Sequence, residues 1–186
     1  MENIILNISN ETLDNLDMKT SKHINNIEYK EYYEEISSKE HYRLLSYISE
    51  IYNNVTILDI GTLKGCSALA LSTNKTNNIY SFNLTDQLEL INIPKNIKFI
   101  IDDVINGNYD DIILASPIIL LDTFHDGVFE QKFLDYLLYL NYKGSLLLDD
   151  IHLNNEMKFF WDGINLLKKD ITYLGHSTGT GIVYFK

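Results

Sequence analysis

Three carboxylates stand where they could act together: Asp122 in IILLDTFH, and Asp149 and Asp150 in GSLLLDDIH. Each follows a short apolar run that reads as a buried parallel strand. The stretch between them, from about Gly127 to Tyr142, has the length of a crossover helix and predicts a βαβ unit. Such units take their ligands at the carboxyl ends of the strands. Neighbouring strands lie about 4.8 Å apart, so the three acids should converge. Carboxylates that close repel one another unless a proton or cation intervenes, which points to a hard divalent metal, Mg²⁺. Histidines accompany them, and an imidazole titrates in the range a general base needs. His125, one turn beyond Asp122, is the first candidate base and His152 the second; His176 falls in the last loop, over the same end of the sheet. Each has a structural alternative: a helix cap for His125, a partner to the carboxylates for His152, and helix capping for the acids, where Asp150 or Asn154 would serve.

The elements that must position these groups follow from periodicity. From Val55 the chain alternates short apolar strands (VTILDI, NIYSFN, IKFII, PIILLD, GSLLLD, ITYLG and GIVYF) with helices near residues 66–73, 128–141 and 154–168. This predicts an α/β, doubly wound, seven-stranded sheet, mostly parallel. STGTG leaves no room for a helix, so the last two strands should form an antiparallel hairpin. Between Glu28 and Asn53, Tyr32, Ile36, Tyr42, Leu45, Ile48 and Ile51 recur at helical spacing. Glu40, His41, Tyr42 and Arg43 in that stretch read as a solvated helix face. Residues 1–28 read as a polar arm, or a lid that orders on ligand or dimer formation, ahead of a single domain over 29–186.

The first strand runs into LDIGTLKGCSALALS, which carries Asp59, Gly61, Thr62, Gly65 and Ser67 through a strand-to-helix turn. Gly61 permits a tight turn and close approach of a ligand. Gly65 to Ser67 would open the helix with free N–H groups. The third glycine of a dinucleotide fingerprint and the lysine of a P-loop are both absent, which disfavours NAD and ATP. The second strand ends at Asn83, where an acid commonly holds ribose hydroxyls; an amide can still bond a diol. The third ends in Asp102 and Asp103, candidates for ribose or adenine contact.

Composition narrows the partners. With 15 basic and 26 acidic residues the net charge is −11, which excludes the basic face a nucleic acid needs and disfavours an anionic membrane. The longest apolar run, Ile112 to Leu121, is interrupted by Ser116 and Pro117 and is too short to cross a bilayer. MENIILNISNE lacks the basic and apolar regions of a signal peptide. A lone Cys66 forbids an intramolecular disulfide. The expectation is a cytoplasmic protein whose exposed sheet edge is open to homodimerisation.

Over about residues 40–186 these segments resemble the class I S-adenosylmethionine-dependent methyltransferases. Within them the chain looks like the metal-dependent O-methyltransferases related to catechol and macrolide-sugar enzymes, whose glycine loop GTLKGCSALALS is similar to. LDTFHDG, LLLDDIHLNNEMKFFW and GHSTGTG resemble a bacterial and large-virus group, some of it associated with deoxysugar and glycan methylation. The resemblance implies S-adenosyl-L-methionine as cofactor and Mg²⁺ on Asp122, Asp149 and Asp150. It further implies methyl transfer to a hydroxyl of a small polar acceptor, a sugar or glycan unit. Two positions depart from the pattern. His125 stands where catechol-type enzymes carry lysine, and Asn83 replaces the usual acid. A metal-independent methyltransferase using His125, and a catalytically silent module that binds a partner, are the competing readings.

Overall fold

The computed structural model describes residues 7–186. Seven strands form one sheet in the order β3-β2-β1-β4-β5-β7-β6. They are β1 (Thr56–Ile60), β2 (Asn78–Asn83), β3 (Ile97–Ile101), β4 (Ile118–Leu121), β5 (Ser145–Asp149), β6 (Leu167–Asp170) and β7 (Thr180–Tyr184). The first five pair in parallel; β7 runs antiparallel to both β5 and β6. The doubly wound sheet with its reversed C-terminal hairpin is thus as expected.

Strand side chains alternate between faces, and each face builds its own core. Ile57, Leu120, Leu147 and Ile182 point to one side, where α1 (Asn10–Asp14), α2 (Ile27–Glu34), α3 (Tyr42–Ile51) and α4 (Cys66–Leu71) pack. Leu58, Ile119, Leu146 and Val183 point to the other, under α5 (Asp110–Ala115), α6 (Val128–Tyr139) and α7 (Asn155–Gly163). Continuous apolar strands are what a sheet covered on both faces requires.

Three local expectations are revised. The sixth strand is LKKD, 167–170, not ITYLG. Ile171 and Leu174 are fully buried, but they plug the core from a turn. The helix expected from Glu28 to Asn53 is two helices, broken over residues 35–41. The short α5 had no sequence signal strong enough to announce it. Of the arm expected over 1–28, residues 1–6 lie outside the described residues. The described part carries α1 and a 3₁₀ turn (Lys19–His23), buries Leu13 completely, and bridges to the sheet side through Ile24 and Leu90.

Arg43, the sole arginine, fixes this N-terminal layer. Its guanidinium donates to the carbonyls of Leu13 and Asp14 at the end of α1, of Leu16 just beyond it, and of Glu34 and Glu35 at the end of α2. Helix C-terminal carbonyls lack intrahelical partners and carry partial negative charge, so a planar cation with five N–H groups suits them.

Candidate functional site

The strand order reverses between β1 and β4, and a cavity of about 670 Å³ opens there at the carboxyl ends of the strands. Its wall begins with the turn after β1. Gly61 has φ +97°, and a Cβ there would fall 1.5 Å from the Asp122 carbonyl oxygen, so only glycine lets β1 and the end of β4 pass. Thr62 and Ser67 line the cavity and are joined by a 3.2 Å hydroxyl contact. Beneath them lies Asp59, fully buried, accepting from the Ser81 hydroxyl at 2.7 Å through Oδ2 while Oδ1 has no partner. Burial pushes this carboxyl up to about 6, against the lowering effect of the Ser81, Ser67 and Thr62 hydroxyls. Asn83 lines the far side with a buried Nδ2 that has no partner, and Asp103 stands near it.

The acidic end sits beside this cavity, around a second one of about 290 Å³. Tyr29, Tyr42, Cys66 and Asp122 line both. Asp122 follows β4, its N–H tied to the Ile60 carbonyl at 2.9 Å. His125 comes back over it with φ +55°, its Nε2 at 3.2 Å from Asp122 Oδ1 and 3.6 Å from Asp150 Oδ2. That loop is held from two sides. Buried Glu130 accepts from the Thr123 hydroxyl and the His125 N–H, and Asn154, the N-cap of α7, donates to the His125 carbonyl.

Asp149 ends β5 almost fully buried, and His41 reaches it from the N-terminal layer, Nδ1 to Oδ1 at 3.1 Å. His176, from the loop between β6 and β7, places Nδ1 at 3.0 Å from Asp150 Oδ1 and 3.6 Å from Asp149 Oδ2, and Nε2 at 3.4 Å from Glu40 Oε1. Asp150 also accepts from the Thr178 hydroxyl, and it holds φ +57° to do so.

Each carboxylate therefore meets an imidazole. Burial opposes charging His41, but the Asp149 carboxylate outweighs it and holds His41 up to about 9. Burial likewise opposes charging His176, and Asp149, Asp150 and Glu40 carry it to about 12. Asp149 is driven well below the ordinary carboxylate range because His41 and His176 overcome its burial. Asp122 moves the other way, raised by burial and by the Asp149 charge.

Of the expected site residues, Gly61, Thr62, Ser67, Asn83 and Asp103 line the larger cavity; Asp59 and Gly65 lie behind its wall. Asp122, Asp149 and Asp150 line the smaller one, and Asp122 and His125 the larger. His152 lines neither: it turns outward to Asp170 on β6, Nε2 to Oδ2 at 2.7 Å. Glu40 and His41, set aside in the sequence as a solvated face, are inside the site. The only signal for them was an imidazole and a carboxylate side by side just ahead of an amphipathic helix.

No family model matches the chain, and no curated protein does. Solved structures do. A methyltransferase from Podospora anserina with bound S-adenosylhomocysteine superposes with a TM-score of 0.53 at 13% identity, covering 96% of this chain and 97% of that one. Fibrillarin from Aeropyrum pernix with natively bound S-adenosyl-L-methionine gives 0.53 at 14% identity, over 80% and 75%. The Streptomyces achromogenes O-methyltransferase TomG, involved in tomaymycin synthesis and in complex with its methyl donor, gives 0.51 at 11%, over 77% and 78%. At such identities the likeness establishes a shared fold, the Rossmann-like fold of these methyltransferases.

Proposed function

We propose that the chain is an S-adenosylmethionine-dependent O-methyltransferase acting on a hydroxyl of a small polar acceptor, a sugar or glycan unit. The observation that carries this reading is the pair of adjoining cavities at the strand-order reversal, one of nucleoside-cofactor size and one walled by acids, imidazoles and tyrosines. Asn83 supports a ribose contact, since its buried Nδ2 has no partner within the protein. Thr62 and Ser67, whose hydroxyls are bonded to each other, would hold the methionine end over the Gly61 turn.

Methyl transfer to oxygen is a displacement at the sulfonium carbon, and the acceptor hydroxyl must lose its proton as the new bond forms. His125 faces both cavities' shared wall at Asp122 and is the group positioned to take that proton. The carboxylates of Asp122, Asp149 and Asp150 would orient acceptor hydroxyls by accepting from them.

The resemblance adds Mg²⁺ on those three acids, and the donor chemistry of the site disagrees. Mg²⁺ asks for oxygen ligands in near-octahedral array. Among the described residues, the two groups whose donor atoms gather within 4.8 Å are His41, Asp149 and His176, and Asp122, His125 and Asp149. Both contain nitrogen, and Asp150 belongs to neither. An all-carboxylate Mg²⁺ site does not fit.

Calorimetric titration of S-adenosylhomocysteine, with Mg²⁺ and again with EDTA, tests the reading. Saturable one-site binding in both is expected, followed by methylation of a sugar in a radiolabelled screen. No binding in either condition would sink it.

A further inference from the structure

Two imidazoles and a carboxylate from three distant parts of the chain meet at the end of β5. His41 lies just ahead of α3, Asp149 ends β5, and His176 comes from the β6–β7 loop. Their donor atoms all fall within 4.8 Å of one another. We propose that His41, Asp149 and His176 form a binding site for a borderline divalent transition cation of the Zn²⁺ type, with its open side toward the acceptor cavity.

Spacing is the first argument. Metal–ligand bonds of about 2.0–2.1 Å put the donors of a tetrahedral shell about 3.3 Å apart. His41 Nδ1 is 3.1 Å from Asp149 Oδ1 and His176 Nδ1 is 3.6 Å from Asp149 Oδ2, one carboxylate oxygen toward each ring. With one donor atom from each residue the three lie within 4.8 Å, a set that would contract by up to about 1.5 Å onto an ion. The partner of the second imidazole nitrogen is an independent argument. A metal-bound histidine typically hands its other N–H to a carboxylate, which fixes its ring and tautomer. His176 is backed in this way by Glu40, an ion-pair contact with Nε2 3.4 Å from Oε1.

The scaffold is built before any ion arrives. His41 and Asp149 are almost wholly buried. The His176 N–H donates to the Thr180 hydroxyl, and the Ser177 N–H to the Lys39 carbonyl, which ties the loop to the segment carrying Glu40 and His41. All three donors border the 290 Å³ cavity, so a fourth position would remain for a hydroxyl ligand. Two nitrogens among three ligands select Zn²⁺, Co²⁺ or their neighbours over Mg²⁺ and Ca²⁺. The other mixed group, Asp122, His125 and Asp149, shares Asp149, and among the described residues no carboxylate backs its histidine; His41 Nε2 has no partner either, so Glu40 behind His176 is what sets the first group apart.

Metal binding is read directly, so the inference stands or falls apart from the methyl-transfer reading; S-adenosylhomocysteine titration reports that one separately. The full chain, stripped with chelator, is titrated with Zn²⁺ and with Mg²⁺, and its Co²⁺ form is examined by visible absorption. One equivalent of Zn²⁺ should bind at least about 100-fold more tightly than Mg²⁺. Glu40→Ala should weaken it by about 10–100-fold, His176→Ala and His41→Ala by at least as much, and His152→Ala not at all. Co²⁺ should give the intense bands of four- or five-coordination. Comparable Mg²⁺ affinity, no Zn²⁺ binding to protein that still unfolds cooperatively, or loss in His125→Ala with retention in His176→Ala would overturn the proposal. Should the histidine variants fail to fold, weak octahedral Co²⁺ bands in the unaltered protein would overturn it alone.

Discussion

The two cavities are made in different ways. The larger is shaped by backbone: a glycine turn, a helix start and strand ends, all within the parallel sheet and its crossovers. The smaller is shaped by long-range side-chain pairing, with His41 and Asp149 meeting across 108 residues of chain. A backbone-built cavity survives most substitutions, because the sheet that forms it is held by two cores. A side-chain-built one depends on a few anchors, and in it carboxylates and imidazoles crowd together as they do not in the larger cavity. The division suits a protein that binds one invariant ligand and one selected ligand.

The sharpest test of that division is His125, which stands where the cavities adjoin. His125→Ala should lower turnover about 10²–10⁴-fold while leaving S-adenosylhomocysteine affinity within a few-fold, as removal of a general base does. Steady-state kinetics beside calorimetry would show it. A loss below tenfold would remove His125 from that role and move the chemistry deeper into the smaller cavity.

Arg43 tests the claim that the smaller cavity hangs on few anchors. Arg43→Ala deletes five hydrogen bonds to helix-end carbonyls and should destabilise the protein by about 2–4 kcal/mol, measured by urea unfolding. Arg43→Lys should recover only a small part, because an ammonium cannot reach carbonyls from two helices in one plane. Hydrogen exchange should rise first in α1, α2 and the Glu40–His41 segment, and last in β1 and β4. Uniform loosening of the sheet would break the comparison.

Asp59 sharpens it from the other side, as the one buried titrating acid behind the larger cavity. Its folded value of about 6 exceeds that of an unfolded aspartate, so the native state holds the proton more tightly. Stability from this group is therefore present at low pH and is lost as pH rises from about 4 through 6. Asp59→Asn removes the titration and keeps an acceptor for Ser81. It should be more stable than the parent by up to about 3 kcal/mol at pH 7.5, with the gap closing toward pH 4. A gap independent of pH would mean that Asp59 is not the buried charge the geometry makes it.

The same division governs what could be read from sequence. Gly61, Thr62 and Ser67 could be read as lining one cavity because a strand-turn-helix carries them within one short segment, and Asn83 and Asp103 because they stand at the carboxyl ends of the next parallel strands. The buried strands were legible as unbroken apolar runs. β6 was not: LKKD sits at the sheet edge and needs little apolar surface, while Ile171 and Leu174 imitate a strand from inside a turn. Glu40 and His41 were illegible for a different reason. Nothing local distinguishes a surface imidazole from one that a distant β-strand will cover, and only the packing of α1–α3 onto the sheet decides it.

His152 carries the smallest expected effect and closes that argument. By spacing it was the second candidate after His125, since it follows the acid pair by two residues. The backbone after β5 decides otherwise. Asp150 takes φ +57°, and the Ile151 and His152 N–H groups bond the Gly179 and Thr178 carbonyls, which turns the His152 ring out toward Asp170. Both partners of that pair are more than a third exposed. An exposed ion pair contributes about 0–1 kcal/mol, so His152→Ala should shift the urea midpoint only slightly. Turnover should stay within about threefold, below the effect of removing any group that takes part in proton transfer. A tenfold loss would place His152 in the acceptor cavity during turnover, and would mean that the segment between β5 and α7 swings inward when the acceptor binds.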